Sequence, residues 1–321
     1  MSRPVYIATR GSALALAQSN LVRAQCEKNF PHENFELKVI KTTGDKQQTI
    51  NLTNANQSVT KGLFTKELEV ALLNGEADFA VHSLKDLPTD LPEGLYLSSV
   101  CEREDVRDAL IYRSPDHGAK RGFPAGTQLR DLPSGATIGS SSTRRQAQIL
   151  AARPDLKTAP IRGNVGTRLQ KLRDQAELDG TILALAGLKR LGLSLSTAGV
   201  LSGAGVPDGL FTSILPLNEM LPCVGQAALG IESRIGDPRI DEICAALNHL
   251  ATFLCVTAER AFLREMGGGC LSPVAAHAEI KGENLHLRAV SFRSEMVRRT
   301  ERTGPQQKAS EIGAAVAREL I

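Results

Sequence analysis

Three times in the middle of this 321-residue chain, an apolar run breaks at a polar turn and a helical pattern follows. ATIGSSSTRRQAQILAARP does so first: a strand ends at Gly139 and a run of hydroxyls opens a helix. TAPIRGNVGTRLQKLRD repeats the design through an Arg-Gly turn, and GTILALAGLKRLGL repeats it again. This alternation constrains the fold more than any other feature. It requires parallel or mixed sheets with helices laid over their faces. The first hundred residues keep the same rhythm. PVYIA (4–8), FELKVIKT (35–42) and DFAVHS (78–83) read as strands. Residues 12–29 read as a helix with Leu14, Ala17, Leu21 and Ala24 on one face, and 63–75 as a helix closed by Gly75. Between them, residues 44–62 are rich in Asn, Gln and Thr and predict a mobile loop long enough for a lid.

After about residue 245 the composition changes. A helix over 251–266 leads into EMGGGCLSP, then strand-like VAAHAEI and LHLRAVSF, then a last helix, QKASEIGAAVARELI. That reads as a small α+β unit. The chain is too long for one ordinary core, and two or three domains are expected.

Open α/β sheets hold ligands beyond the carboxyl ends of their strands. Five polar clusters fall there. They are Thr9-Arg10-Gly11-Ser12, His82-Ser83-Leu84-Lys85-Asp86, Ser140 to Arg145, Arg162 to Arg168, and Lys189-Arg190. Arginine at a helix start opposes the helix dipole, whereas hydroxyls and free N–H groups beside it suit an anion. Five such sites point to a ligand with several carboxylates or phosphates. Each has a plainer reading. The serines are also helix caps, GNVG lacks the phosphate-loop pattern, and His82 on its apolar strand reads as packed rather than catalytic. Asp86 is the only acid in the five clusters. Cys270 sits behind three glycines, unlike Cys26, Cys244 and Cys255, which lie on helical stretches as small hydrophobes.

Aromatics are 4% with no Trp, so base-stacking surfaces for nucleic acid are not expected. Net charge is only +3, without blocks of like charge. Six cysteines without a CxxC pair argue against a zinc ribbon or a disulfide framework. No signal-like start and no run of about 18 apolar residues is present, so the expected setting is cytoplasmic, or a plastid stroma after loss of a transit peptide. Neither a metal nor a membrane is expected.

IATRGS, KGLFTKELE, VHSLKDLP, CEREDVRDA, RGNVGTRL, LALAGLKRLG and AERAFL, in this order, make the chain resemble the porphobilinogen deaminase (hydroxymethylbilane synthase) family. The resemblance implies three α/β domains. Two are lobes like those of periplasmic binding proteins, with mixed sheets, over 1–103 with 226–245 and over 104–225. The third, α+β, spans 246–321 and carries a cysteine loop. It implies a transferase that condenses four porphobilinogen molecules head to tail on a dipyrromethane cofactor, losing ammonia each time. Cys270 matches the cysteine that holds the cofactor by a thioether, and Asp86 the catalytic aspartate. Arg10, Ser83, Lys85, Ser141, Ser142, Arg144, Arg145, Arg162, Arg168 and Arg190 match the residues that bind the pyrroles' acetates and propionates. Lys61 and Phe64 fall on the covering loop. A monomer is implied, whose product passes to a downstream tetrapyrrole-cyclising enzyme. The chain departs from the family pattern at Ser140, Thr143, Ala227 and Gly267. A competing reading is a two-lobed carboxylate-binding protein without the chemistry; such a binder needs neither Cys270 nor Asp86.

Overall fold

The computed structural model describes residues 3–43, 65–116, 120–269 and 272–321. Lys61, Phe64, the whole of the expected lid (44–62) and Cys270 lie outside the described residues.

The first sheet is built from β1 (Val5–Arg10), β2 (Phe35–Ile40), β3 (Phe79–Ser83), β4 (Leu95–Val100) and a late strand, β12 (Leu229–Arg234). Its order is β2-β1-β3-β12-β4. β1 runs parallel to β2 and β3, and β12 is antiparallel to both β3 and β4. Because side chains alternate across a strand, Ile7 and Ala8 serve opposite faces. Ile7, Phe79 and Ile231 pack with Val22 of α1 (Ala13–Asn29) and Ile243 of α6 (Pro238–Leu247). Ala8 and Ala80 pack with Leu68 and Leu72 of α2 (Lys66–Leu73).

The second sheet has order β11-β5-β8-β6-β7, with β5 (Asp108–Arg113), β6 (Thr137–Gly139), β7 (Lys157–Ala159), β8 (Gly180–Ala184) and β11 (Leu210–Ile214). β6 is parallel to β7 and β8; β5 is antiparallel to β8 and β11. Ile138 and Ile182 pack with Ile149 of α3 (Thr143–Ala152) on one face. Ile111 and Leu183 meet Leu169 of α4 (Val165–Asp174) and Leu188 of α5 (Leu185–Arg190) on the other. β9 (Ser194–Leu195) and β10 (Leu201–Ser202) form a small separate ribbon. The expected mixed α/β sheets are therefore present.

The chain passes from the first sheet to the second through residues 101–107 and returns through 215–228. After α7 (Leu250–Glu265), a three-stranded antiparallel sheet follows: β13 (Val274–Lys281), β14 (Asn284–Ser291) and β15 (Arg298–Pro305), closed by α8 (Ala309–Leu320). α8 lies so close on α7 that a Cβ at Gly313 would stand 2.1 Å from the Ala258 carbonyl oxygen. Only glycine permits that approach.

Candidate active site

β1 and β3 run side by side, so Arg10 and Ser83 reach the same end of the first sheet. Beyond Ser83 the chain tightens into a single 3₁₀ turn, Leu84–Asp86. Buried Leu84 anchors this turn, and Asp86 is exposed. Among the described residues Asp86 has no hydrogen-bond or ion-pair partner. It lines two neighbouring cavities.

The smaller cavity, ≈ 70 Å³, is bounded by Arg10, Gln18, Thr65, His82, Ser83 and Asp86. Gln18 and Ser83 exchange hydrogen bonds of 2.8 and 3.0 Å, which fixes the serine hydroxyl. The larger cavity, ≈ 170 Å³, joins all three sheets' surroundings. Lys85 and Asp86 come from the first sheet, and Ser142, Arg144 and Arg145 from the start of α3. Cys223 and Gln226 come from the return crossover, and Gly269 and Ser272 flank the position of Cys270.

The Ser142 hydroxyl caps α3 by accepting from the Arg145 backbone N–H at 3.4 Å. Capping thus orients the two arginines that follow. Both are buried, and both donate to Asp108, at 2.8 Å from Arg144 and 2.7 Å from Arg145. Gln226 adds a third donor at 2.9 Å. Burial alone would raise the Asp108 carboxyl, but the two guanidiniums outweigh it and hold it well below the usual carboxylate range. Arg145 also donates to the Ile182 carbonyl, so these three bonds use three of its five N–H groups. The Arg144 Nε is buried without a partner.

Ser141 does not reach either cavity. Its hydroxyl donates to the Ile161 carbonyl at 2.9 Å and accepts from the Ile161 N–H, clipping two loops together. Arg162, Arg168 and Arg190 line neither cavity. Arg168 is nonetheless electrostatically coupled to Arg145 and Arg162. Burial first, then those two cations, push its guanidinium down to about 10. That is a field short of negative charge, as a bound polyanion would find it. Arg190 donates to the Ala227 carbonyl at 2.6 Å.

Asp108, Gln226 and Glu259 were not anticipated as organisers of this region. Asp108 stands within CEREDVRDA, but its partners lie 36 and 37 residues away. Glu259 accepts from Arg103 at 2.7 and 3.0 Å and from the Gly225 and Ala278 N–H groups at 2.8 and 2.9 Å. The thiols of Cys26, Cys101 and Cys255 are pushed up to about 12, chiefly by burial, and that of Cys244 to about 11, so none is a ready nucleophile. Among the described residues no group of three or more His, Cys, Asp or Glu could hold a metal ion, and no single helix is long and apolar enough to cross a membrane.

Comparison with known proteins adds a family to this geometry. The family model described as porphobilinogen deaminase, dipyromethane cofactor binding domain, matches residues 5–242; its C-terminal-domain counterpart matches residues 253–321. The porphobilinogen deaminase of Carboxydothermus hydrogenoformans is 42% identical over 323 residues, covering 100% of this chain and 94% of that protein. Those of Geobacter metallireducens and Pelobacter propionicus are each 44% identical, over 99% of this chain and 92% and 94% of theirs.

Proposed function

The chain belongs to the porphobilinogen deaminase family, and from that premise we infer how its own residues serve the reaction. It is a transferase of tetrapyrrole biosynthesis. It condenses four porphobilinogen molecules head to tail with loss of ammonia, and releases hydroxymethylbilane. Its cofactor is dipyrromethane, in keeping with the family domain that residues 5–242 match.

The residues present suit that cofactor. A dipyrromethane carries four carboxylates, and the depressed Arg168 guanidinium marks a field that such a group would neutralise. Lys85 and Arg145 in the cavity wall would bind its carboxylates beside Ser142 and Arg144, Arg162, Arg168 and Arg190 would do so from outside that wall, and Arg10 and Ser83 would serve the incoming substrate. Cys270, one residue beyond the cavity wall at Gly269, would hold the cofactor by a thioether. When bound, the group supplies the terminal pyrrole that is extended. Loss of ammonia in the condensation would develop positive charge near the pyrrole nitrogens. The Asp86 carboxylate, without a partner among the described residues and preorganised on its short turn, would stabilise that charge. Asp86 at the junction of both cavities is the observation that carries this reading. Lys61 and Phe64 would belong to a covering loop.

We assign the lobes to 1–103 with 226–245 and to 104–225, and the third domain to 246–321. The protein is proposed to be a cytoplasmic or plastid-stromal monomer that hands its product to a tetrapyrrole-cyclising enzyme.

Intact mass tests the reading. Purified protein should exceed its sequence mass by one dipyrromethane and colour with an aldehyde reagent for pyrroles. Active protein at the bare sequence mass would sink the covalent-cofactor assignment. Asp86→Asn should keep that added mass and lose more than nine-tenths of the turnover rate.

A further inference from the structure

The smaller cavity has a buried acid–base pair behind it that the reading above does not use. His82 is 5% exposed and lies on β3, and Glu232 is 0% exposed on the neighbouring β12. His82 Nε2 is 2.9 Å from Glu232 Oε2. The other Glu232 oxygen, Oε1, is buried without a partner. A buried carboxylate oxygen left bare is costly, and such groups call for an explanation. Glu69 of α2 is buried close by, and its carboxyl is raised, first by burial and further by Glu232.

The chemistry of the pair is directional. An ionised Glu232 accepts from Nε2–H and fixes that tautomer, as carboxylates do for histidines that act as bases. The lone pair is then on Nδ1, which has no hydrogen-bond partner among the described residues. His82 is part of the wall of the cavity that also holds Asp86. The charged groups around it are Glu232 on β12, Glu69 on α2, Arg10 at the end of β1 and Asp86 beyond β3.

We propose that His82, held by Glu232, is a general base of the condensation, an inference that rests on the activity assigned above. The attacking pyrrole forms a C–C bond through its α-carbon to the aminomethyl carbon of the substrate. The C–N bond of that carbon, whose amino group is protonated as ammonium, breaks, and ammonia leaves with the electron pair. The α C–H bond of the attacking ring then breaks; its pair restores the aromatic ring and the proton passes to Nδ1 of His82. From there it leaves to the departing ammonia, giving ammonium, and the imidazole is reset. Asp86 stabilises the cation while His82 removes the proton. The histidine is packed, as its apolar strand implies, and is still one of the residues that line the cavity.

The test uses the cofactor-bearing enzyme, with rates expressed per mole of bound cofactor by intact mass. His82→Gln should lower kcat by a factor on the order of 10² or more with a much smaller change in KM. Porphobilinogen deuterated at its free α-carbon should then show a primary isotope effect that is absent in the wild type, because proton removal has become slow. Glu232→Gln keeps the shape and should show a smaller loss with the same emerging isotope effect. A readout independent of turnover is the ¹⁵N spectrum of histidine-labelled holoenzyme, in which the resonance altered in either variant should be an Nε2–H tautomer. A His82→Gln rate within threefold of wild type, a large loss without any isotope effect, or an Nδ1–H tautomer would overturn the proposal. A wild-type protein that neither carries the added mass nor consumes porphobilinogen would instead overturn the functional reading beneath it.

Discussion

Asp108 carries its charge with no exposed surface, inside a shell made by Arg144, Arg145 and Gln226. Removing one member of a buried ion pair strands the others, at a cost of about 3–5 kcal/mol. Asp108→Asn should therefore lose about that much, read as a lower urea midpoint at neutral pH. The pH dependence has a definite sign. The folded carboxyl is depressed, so its contribution is present above its ordinary value near 3.9 and is lost as pH falls below it. Wild-type stability should fall across that acid window more steeply than that of the variant, and parallel curves would contradict the assignment. Ala227 makes the opposite case. It is the only non-glycine with positive φ among the described residues, at 69°, and its carbonyl accepts from Arg190 and from the Glu104 N–H. Side chains resist that conformation by about 1–2 kcal/mol. Ala227→Gly should raise stability by about 1 kcal/mol, the strain relief being partly offset by a freer unfolded chain. A lower urea midpoint would show that the methyl group is held by packing instead.

At the scale of elements, the two crossovers between the sheets are gripped from the third domain's helix. One Glu259 carboxylate on α7 takes Arg103 of the outgoing segment and the Gly225 N–H of the returning one. It also takes Ala278 N–H of β13. Glu259→Ala should leave those donors buried and bare. The expected result is faster hydrogen exchange at Gly225 and Ala278 than at the sheet centres, with a stability loss of about 3–5 kcal/mol. Equal protection in wild type and variant would mean that the backbone alone holds the crossovers. The strand–helix repeats that precede and follow Gly139 were legible, because period-2 and period-3.6 patterns are local. The insertion of β12 between β3 and β4 was not. Its residues come from beyond the whole second sheet, and nothing local in LGIESR names its neighbours. The site divides along the same line. Asp86 and the arginine clusters announce themselves by residue type at strand ends. That Arg144 and Arg145 converge on Asp108, or that His82 meets Glu232 across 150 residues, is set by sheet order alone.

At the scale of the whole molecule, the cavity wall draws on both lobes and on the third domain, and cations gather in and around it. Asp108 answers Arg144 and Arg145, but burial first, then the charges of Arg145 and Arg162, push the Arg168 guanidinium down to about 10. A bound polyanion that touches every wall should therefore stabilise the native arrangement, since a ligand held only by the folded state adds to its stability. Cys270→Ala, without the thiol proposed as the anchor, should unfold at a lower temperature than the cofactor-bearing protein. Salt separates this electrostatic cause from a packing defect at residue 270. Repulsion within the arginine cluster is screened as the Debye length shrinks from about 10 Å at 0.1 M to about 3 Å at 1 M. Added sodium chloride should then recover part of the lost stability in Cys270→Ala and recover little in the wild type, whose arginines are already neutralised. Equal salt responses in the two proteins would place the loss in packing and remove the cofactor's charge from the account of what holds the three domains together.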